Sequence, residues 1–250
     1  DLNVWLTSTT EQWAVIAVQG PKARDVIAPL VEDIDLSTES MPHMSVREGK
    51  ICGVPTRLFR MSFTGEAGYE INVPASRGRE VWDAVWKNVE AAGGAPYGTE
   101  TMHVLRAEKG YIIVGQETDG TVVPADVGMD WAVGKKKADF IGMRSLMRPD
   151  IVAAGRRQLV GILTKDPKVI LEEGAQVTME ASPALKTPAL GYVTSSYYSS
   201  ALGRSMALAM ISDGRDRMGD TLYVPTADGA VGVEIVSPVF YDAEGGKLVA

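Results

Sequence analysis

In the stretch MSFTGEAGYEI, Met61 to Ile71, an acid stands at the bend of a turn: Glu66, between Gly65 and Gly68 and close to Phe63 and Tyr69. A solvated turn has no need of a carboxylate among small residues and aromatics. Two carboxylate oxygens side by side can accept two parallel N–H bonds, the pattern offered by a guanidinium or by the 2-amino and ring N–H edge of a pterin. Aromatic walls such as Phe59 or Tyr111 could hold a flat ring beside such an acceptor. The same carboxylate could instead cap the turn by accepting backbone N–H groups, and spacing alone leaves both readings open.

Other groups invite less chemistry. Arg106 and Glu108 in HVLRAEKGY point about 200° apart on a helix, so they do not form one pair and each needs its own partner. For Arg106 the expectation is a buried or rim ion pair that pins its helix to a sheet. His43 and His103 have no acid at metal-ligand spacing, and His103, between Met102 and Val104, reads as a packed or surface histidine; no metal site is expected. The run Lys135 to Lys137 reads as a solvated loop that could also meet an anionic tail or a partner subunit, and SDGRDRMGD reads as a turn. Neither GxGxxG nor GxxxxGK[ST] occurs, so no flavin, nicotinamide or nucleoside triphosphate pyrophosphate is assigned to this chain.

Several elements must position these groups. WAVIAV, Trp13 to Val18, reads as a strand covered on both faces, followed by a helix entered at Pro21 with Val26, Ile27, Leu30 and Val31 inward. TRLFRMSF and GYEINV read as a hairpin with TGE at its tip. Ser76 is placed to cap a helix bearing Val81, Trp82, Val85, Trp86 and Val89 on one face, stopped at Gly93-Gly94; a second helix runs from Thr99 to Lys109 and ends at Gly110. Six short apolar runs then follow: RQLVGIL, AQVTME, ALGYVTS, SMALAMI, DTLYVP and VGVEIV. The ordering predicts an α+β fold, an antiparallel sheet with helices, then a small C-terminal β-barrel, with domains at 1–150 and 151–250.

Composition excludes some partners. With 45% hydrophobic residues the 250-residue chain can bury a large core, and its net charge of -7 argues against nucleic acid, whose affinity comes largely from Lys and Arg on phosphates. The single Cys52 has no disulfide partner and no CxxC mate, which points to a reducing compartment and the cytoplasm. Neither a membrane span nor a signal peptide is predicted. The chain opens at Asp1 already close to a strand, which suggests a piece of something longer.

Taken in order, FTGEAGYEI, LRAEKGY, DWAVGKKKADFIG and VEIVSPVFYD resemble the folate-binding aminomethyltransferase family typified by the glycine-cleavage T-protein, over essentially the whole chain. PYGTETMHVLRAEKGYIIVGQETDGTVVPAD is similar, more closely still, to the sarcosine oxidase branch of that family. The resemblance implies a folate domain followed by the family's β-barrel. It implies that Glu66 grips the pterin of tetrahydrofolate and that Tyr111 lines the folate pocket. A related folate-dependent oxidase has a Tyr where this chain has Phe59, which keeps a ring for stacking but offers no hydroxyl. The T-protein has an Arg where this chain has Met102, a departure that favours the oxidase branch. The family's catalytic Asp falls upstream of this chain, which implies that the chain lacks the first part of its folate domain and is inactive alone.

As the resemblance has it, this is part of an oxidoreductase acting on CH–NH bonds, in which the one-carbon unit from sarcosine is captured as 5,10-methylenetetrahydrofolate. FAD or FMN and NAD would sit elsewhere in a heterotetramer, and the partners would be the other subunits, including a flavin-bearing beta subunit. A dimethylglycine oxidase-like or T-protein-like enzyme, or an assembly module with a vestigial folate pocket, are the alternatives.

Overall fold

The β-branched apolar run WAVIAVQ forms strand β1 (Trp13–Gln19) in the computed structural model, which describes residues 2–184 and 186–249. Helix α1 (Ala23–Ile27) follows, then β2 (Ser45–Ile51), β3 (Val54–Arg60), β4 (Gly68–Pro74), α2 (Gly78–Ala91) and α3 (Thr99–Glu108). The backbone forms two compact units, one running up to Met102 and rejoined from Glu244 onward, the other His103–Ala243. The sequence pattern alone puts a domain boundary near 150.

In the first unit the four strands make one antiparallel sheet in the order β1-β4-β3-β2. Val26, Ile27, Val81 and Val85 of α1 and α2 pack with Ile16, Val18, Leu58, Tyr69, Ile71 and Val73 of the strands. Only one face of β1 is covered, because α1 and α2 pack on that side: Ile16 and Val18 are buried against them while Val15 is exposed, so the reading of a strand covered on both faces is corrected. Ser76 lies in a 3-10 turn, Ala75–Arg77, and no side chain caps α2, another correction. Strand β2 is too polar to be seen in the sequence. Its hairpin to β3 turns through Cys52 (φ 51°) and Gly53 (φ 72°), the two positive-φ residues that a tight two-residue connection requires.

The short helix α4 (Pro149–Val152) precedes six strands: β5 (Arg157–Thr164), β6 (Gln176–Val177), β7 (Gly191–Ser199), β8 (Arg204–Ser212), β9 (Thr221–Thr226) and β10 (Gly229–Val236). Each contains or overlaps one of the six predicted runs. They pair in the order β6-β7-β8-β5-β10-β9, and a bridge between Thr178 and Tyr223 joins the two ends into a barrel. Thr178 N–H donates to the Tyr223 carbonyl at 2.8 Å and Tyr223 N–H returns to the Thr178 carbonyl at 3.0 Å. One face of the sheet carries Val160, Ile162, Ala209, Ile211 and Val233; the other carries Leu159, Tyr197, Leu208 and Met210, packed with Ala107 and Val127. That second face explains why residues just after 103 belong to the barrel's compact unit. A one-turn helix, α5 (Gly246–Val249), follows the barrel strands in the sequence.

Candidate functional site

The segment 61–67 joins β3 to β4, and its fold is set by groups other than the acid at its tip. Gly65 takes φ 84°, open to glycine at little cost, and its N–H donates to Ser62 Oγ at 3.1 Å. Gly20 N–H donates to the Ala67 carbonyl at 2.8 Å, and Thr64 Oγ1 donates to Gln19 Oε1 at 3.3 Å. The turn is thus capped by Ser62 and tied to the end of β1. Among the described residues no main-chain amide donates to Glu66. Among the described residues its carboxylate takes one hydrogen bond, from Lys247 Nζ of α5 to Oε1 at 3.1 Å. The Glu66 side chain is 24% exposed and that of Lys247 43%. A mostly enclosed carboxylate on a braced turn keeps an accepting edge that the turn itself does not use.

Beneath the turn sits a buried cation. Arg60 is almost fully enclosed; its Nη1 donates to Tyr69 Oη at 3.4 Å, its guanidinium lies 5.4 Å from the Tyr69 ring centroid, and its Nη2 donates to the Leu248 carbonyl at 3.4 Å. Arg24 Nε also donates to Tyr69 Oη, at 3.2 Å. Phe59 precedes Arg60 on β3 and, half-buried, takes the face opposite the core side chain Leu58. In register it pairs with Val46 on one side and Glu70 on the other. Burial pushes the Glu70 carboxyl up from its ordinary value, and burial together with the Glu70 charge pushes up the Tyr97 phenol. Met102 lines a cavity of about 310 Å³ beside Ile16, Val18, Trp82, Trp86 and Tyr97; neither Glu66 nor Phe59 lines it.

Tyr111 belongs to the second unit, immediately after Gly110, whose φ of 67° ends α3. Its N–H donates to the Arg106 carbonyl at 3.0 Å and its carbonyl accepts from Arg106 Nη1 at 3.0 Å. Burial, then the Asp242 charge, raises its phenol. Arg106 itself is fully buried, pairs with Glu117 Oε2 at 2.9 Å and donates to Ser195 Oγ of β7 at 2.7 Å. The predicted buried ion pair is there, but its acid stands in a turn; the tie to the sheet is the hydrogen bond to Ser195, and Arg106 also fixes the Tyr111 backbone. Glu108 finds its own partner, Ser199 Oγ, at 2.6 Å.

Sequence reasoning missed Ser62, Lys247, Glu117 and Ser195. Only Ser62 had a local signal, a hydroxyl three residues before a turn glycine. Lys247 lies 181 residues from Glu66 and Ser195 lies 89 from Arg106, beyond the reach of any spacing argument.

The GCVT N-terminal domain family matches residues 1–137, and the glycine cleavage T-protein C-terminal barrel domain matches 157–242. The chain belongs to the glycine cleavage T-protein family. Glu66, Phe59 and Tyr111 all fall within its N-terminal match. Among relatives of this T-protein family chain, the sarcosine oxidase subunit alpha of Corynebacterium sp. (strain P-1) is 46% identical over 99% of the chain, and that of Rhizobium meliloti 38% over 99%. The chain spans 26% and 25% of those relatives, about a quarter of their length. The aminomethyltransferase of Thermotoga maritima is 32% identical over 96% of the chain and 63% of its own. In fold, the glycine cleavage system aminomethyltransferase T from Bartonella henselae superposes with a TM-score of 0.77 at 21% identity, over 92% of this chain and 60% of that one.

Proposed function

We propose that this chain is the tetrahydrofolate-binding region of a sarcosine oxidase alpha subunit, and that it captures the one-carbon unit of oxidative sarcosine demethylation as 5,10-methylenetetrahydrofolate. The observation that carries the reading is the Glu66 carboxylate, which is spared from capping its own turn and is met, among the described residues, by one lysine. The residues present suit a pterin edge: a two-oxygen acceptor for the 2-amino and ring N–H pair, and on the same hairpin the half-buried ring of Phe59. Tyr111, braced by Arg106, is assigned to the wall of the folate pocket. Bound tetrahydrofolate supplies the nucleophilic nitrogens that take up the one-carbon unit. This chain's part is orientation, fixing one edge of the ring so that an encounter between two diffusing partners becomes a local one.

The names and 46% and 38% identities of the sarcosine oxidase relatives support the branch over an aminomethyltransferase at 32%. On this reading the domains divide at 1–150 and 151–250, consistent with family matches that end at 137 and resume at 157. The other subunits, including a flavin-bearing beta subunit, would hold FAD or FMN and NAD. A cytoplasmic site is in keeping with the lone Cys52. No helix among the described residues is long and apolar enough to cross a membrane.

The test is a calorimetric titration of the complete protein with tetrahydrofolate. Glu66→Gln removes a charge-assisted acceptor worth about 1.5–3 kcal/mol, so affinity is expected to fall roughly ten- to a hundredfold. An unchanged affinity would end the assignment of Glu66 as a folate ligand.

A further inference from the structure

We propose that the outer edge of β1 receives one more strand, supplied by a segment of the same polypeptide beyond these 250 residues. This rests on the reading of the chain as one region of a longer subunit, and not on the folate assignment.

The register with β4 decides which main-chain groups face outward. Gly20 N–H donates to the Ala67 carbonyl at 2.8 Å and extends the ladder past the pair Gln19 and Gly68, so the directly bonded positions on β1 are Val18, Ile16 and Ala14. Pro74, with no N–H to give, accordingly falls at the unbonded position opposite Trp13. The N–H and carbonyl groups of Val15, Ala17 and Gln19 therefore point outward from β4, and among the described residues no other segment hydrogen-bonds to them. At the far end of the sheet the edge is guarded. Strand β2 carries Arg47, Glu48 and Lys50, Val31 bridges to Ile51, Glu32 N–H donates to the Lys50 carbonyl at 3.1 Å, and Lys50 N–H donates to Asp33 Oδ1 at 2.6 Å. WAVIAVQ has no such guard: its register is unbroken, with no charge, proline or bulge to deter pairing. Along its edge lies the cavity of about 310 Å³, with Ile16 to Gln19 on one side and Trp82, Trp86, Tyr97 and Met102 among its other walls. A strand laid there would satisfy the outward groups with its main chain and send every second side chain into an apolar slot, so the segment that fits is apolar at alternate positions.

The occupant is assigned to the same polypeptide because further chain accompanies this fold in both branches of relatives. This chain spans 26% of the Corynebacterium sarcosine oxidase subunit, 63% of the Thermotoga maritima aminomethyltransferase and 60% of the Bartonella henselae structure.

Two measurements on the complete protein test this. In amide hydrogen exchange resolved to single residues, an added strand requires that Val15, Ala17 and Gln19 exchange within about tenfold of Ile16 and Val18. In photo-crosslinking, Val15→p-benzoylphenylalanine puts the probe on the exposed face and leaves the edge clear. The expected product joins residue 15 to a peptide outside the 250 residues, with the mass of the subunit unchanged. Fast exchange at the three outward amides beside slow exchange at Ile16 and Val18 overturns the proposal. A link to a second copy or to a different subunit overturns it too, because another chain then holds the edge. A complete protein with the mass of these 250 residues alone would end the longer-subunit reading and the proposal with it, and leave the Glu66 titration to judge folate binding separately.

Discussion

Arg106 and Glu117 face each other at 2.9 Å with neither side chain exposed to water at all. Each charge is wrapped by further partners: Glu117 Oε1 accepts from Ser195 Oγ and its Oε2 from the Ile113 N–H, while Arg106 reaches Ser195 and the Tyr111 carbonyl. Breaking a buried pair from one side strands the other charge, which typically costs about 3–5 kcal/mol. Glu117→Leu and Arg106→Met should each destabilise by about that much, and the double variant by much less than their sum, because no charge is then left behind. Equilibrium unfolding of the four forms gives the coupling. Single effects that simply add would show that the two side chains do not depend on one another.

Glu70 carries a pH signature of opposite sign to that of a paired carboxylate. Burial raises its carboxyl in the folded state above the ordinary value of about 4.5, so on raising the pH the unfolded chain ionises first and the folded chain lags. Stability contributed at this position therefore falls as pH climbs from the ordinary carboxyl value to the raised one, and stays low above it. Glu70→Gln should raise the melting temperature near neutral pH and have no effect at a pH where both forms are uncharged. The Tyr97 phenol, pushed up second by the Glu70 charge, should ionise at lower pH in the same variant, read by ultraviolet absorption. A variant with wild-type stability at neutral pH would mean that the carboxyl is better solvated than its half-buried place suggests.

Phe59 tests the ring-holding part of the proposed site without touching the core. It lies opposite Val46 and Glu70 on the face of the sheet away from Leu58, so truncation opens no hole among the buried strand residues. Phe59→Ala in the complete protein should weaken tetrahydrofolate binding about two- to tenfold, the worth of an aromatic contact at roughly 0.5–1.5 kcal/mol. Phe59→Leu, which keeps apolar bulk but no ring, separates stacking from simple contact. Wild-type affinity in both would remove Phe59 from the site.

Local pattern exposes much of this in the sequence, and its failures share a cause. The six barrel runs and the hairpin around Glu66 are legible because period-two alternation and turn glycines are local signals. Strand β2, SVREGKI, is invisible because it is an edge strand whose outward positions Val46, Glu48 and Lys50 face solvent, leaving Ile51 as its only fully buried residue. Trp13 to Val18 misleads because an apolar run looks the same whether one face is covered or two. Glu66 stands out as a chemical candidate from its neighbours, yet its partner Lys247 and the Ser195 that serves Arg106 arrive from distant segments, through topology that no spacing encodes.

Gly110 offers a last prediction, because it combines a backbone requirement with a close approach. Its φ is 67°, and a Cβ there would stand 2.6 Å from the Pro238 carbonyl oxygen and 3.0 Å from its carbon, backbone atoms with little room to yield. The neighbouring residues are stapled to the same strand exit: Phe240 and Tyr241 N–H groups donate to the Glu108 carbonyl, and Lys109 Nζ donates to Asp242 Oδ2 at 3.0 Å. Gly203 is the natural control, with φ 66° and nothing within 4 Å of the same added atom. Both alanine variants bear the left-handed strain, on the order of 1 kcal/mol, but only Gly110→Ala adds the overlap, roughly 1–3 kcal/mol more. The difference between the two destabilisations in chemical denaturation isolates the steric part. A Gly110→Ala protein no less stable than Gly203→Ala would show that the 238–242 segment moves aside freely, and that Tyr111 is held by Arg106 without help from that close approach.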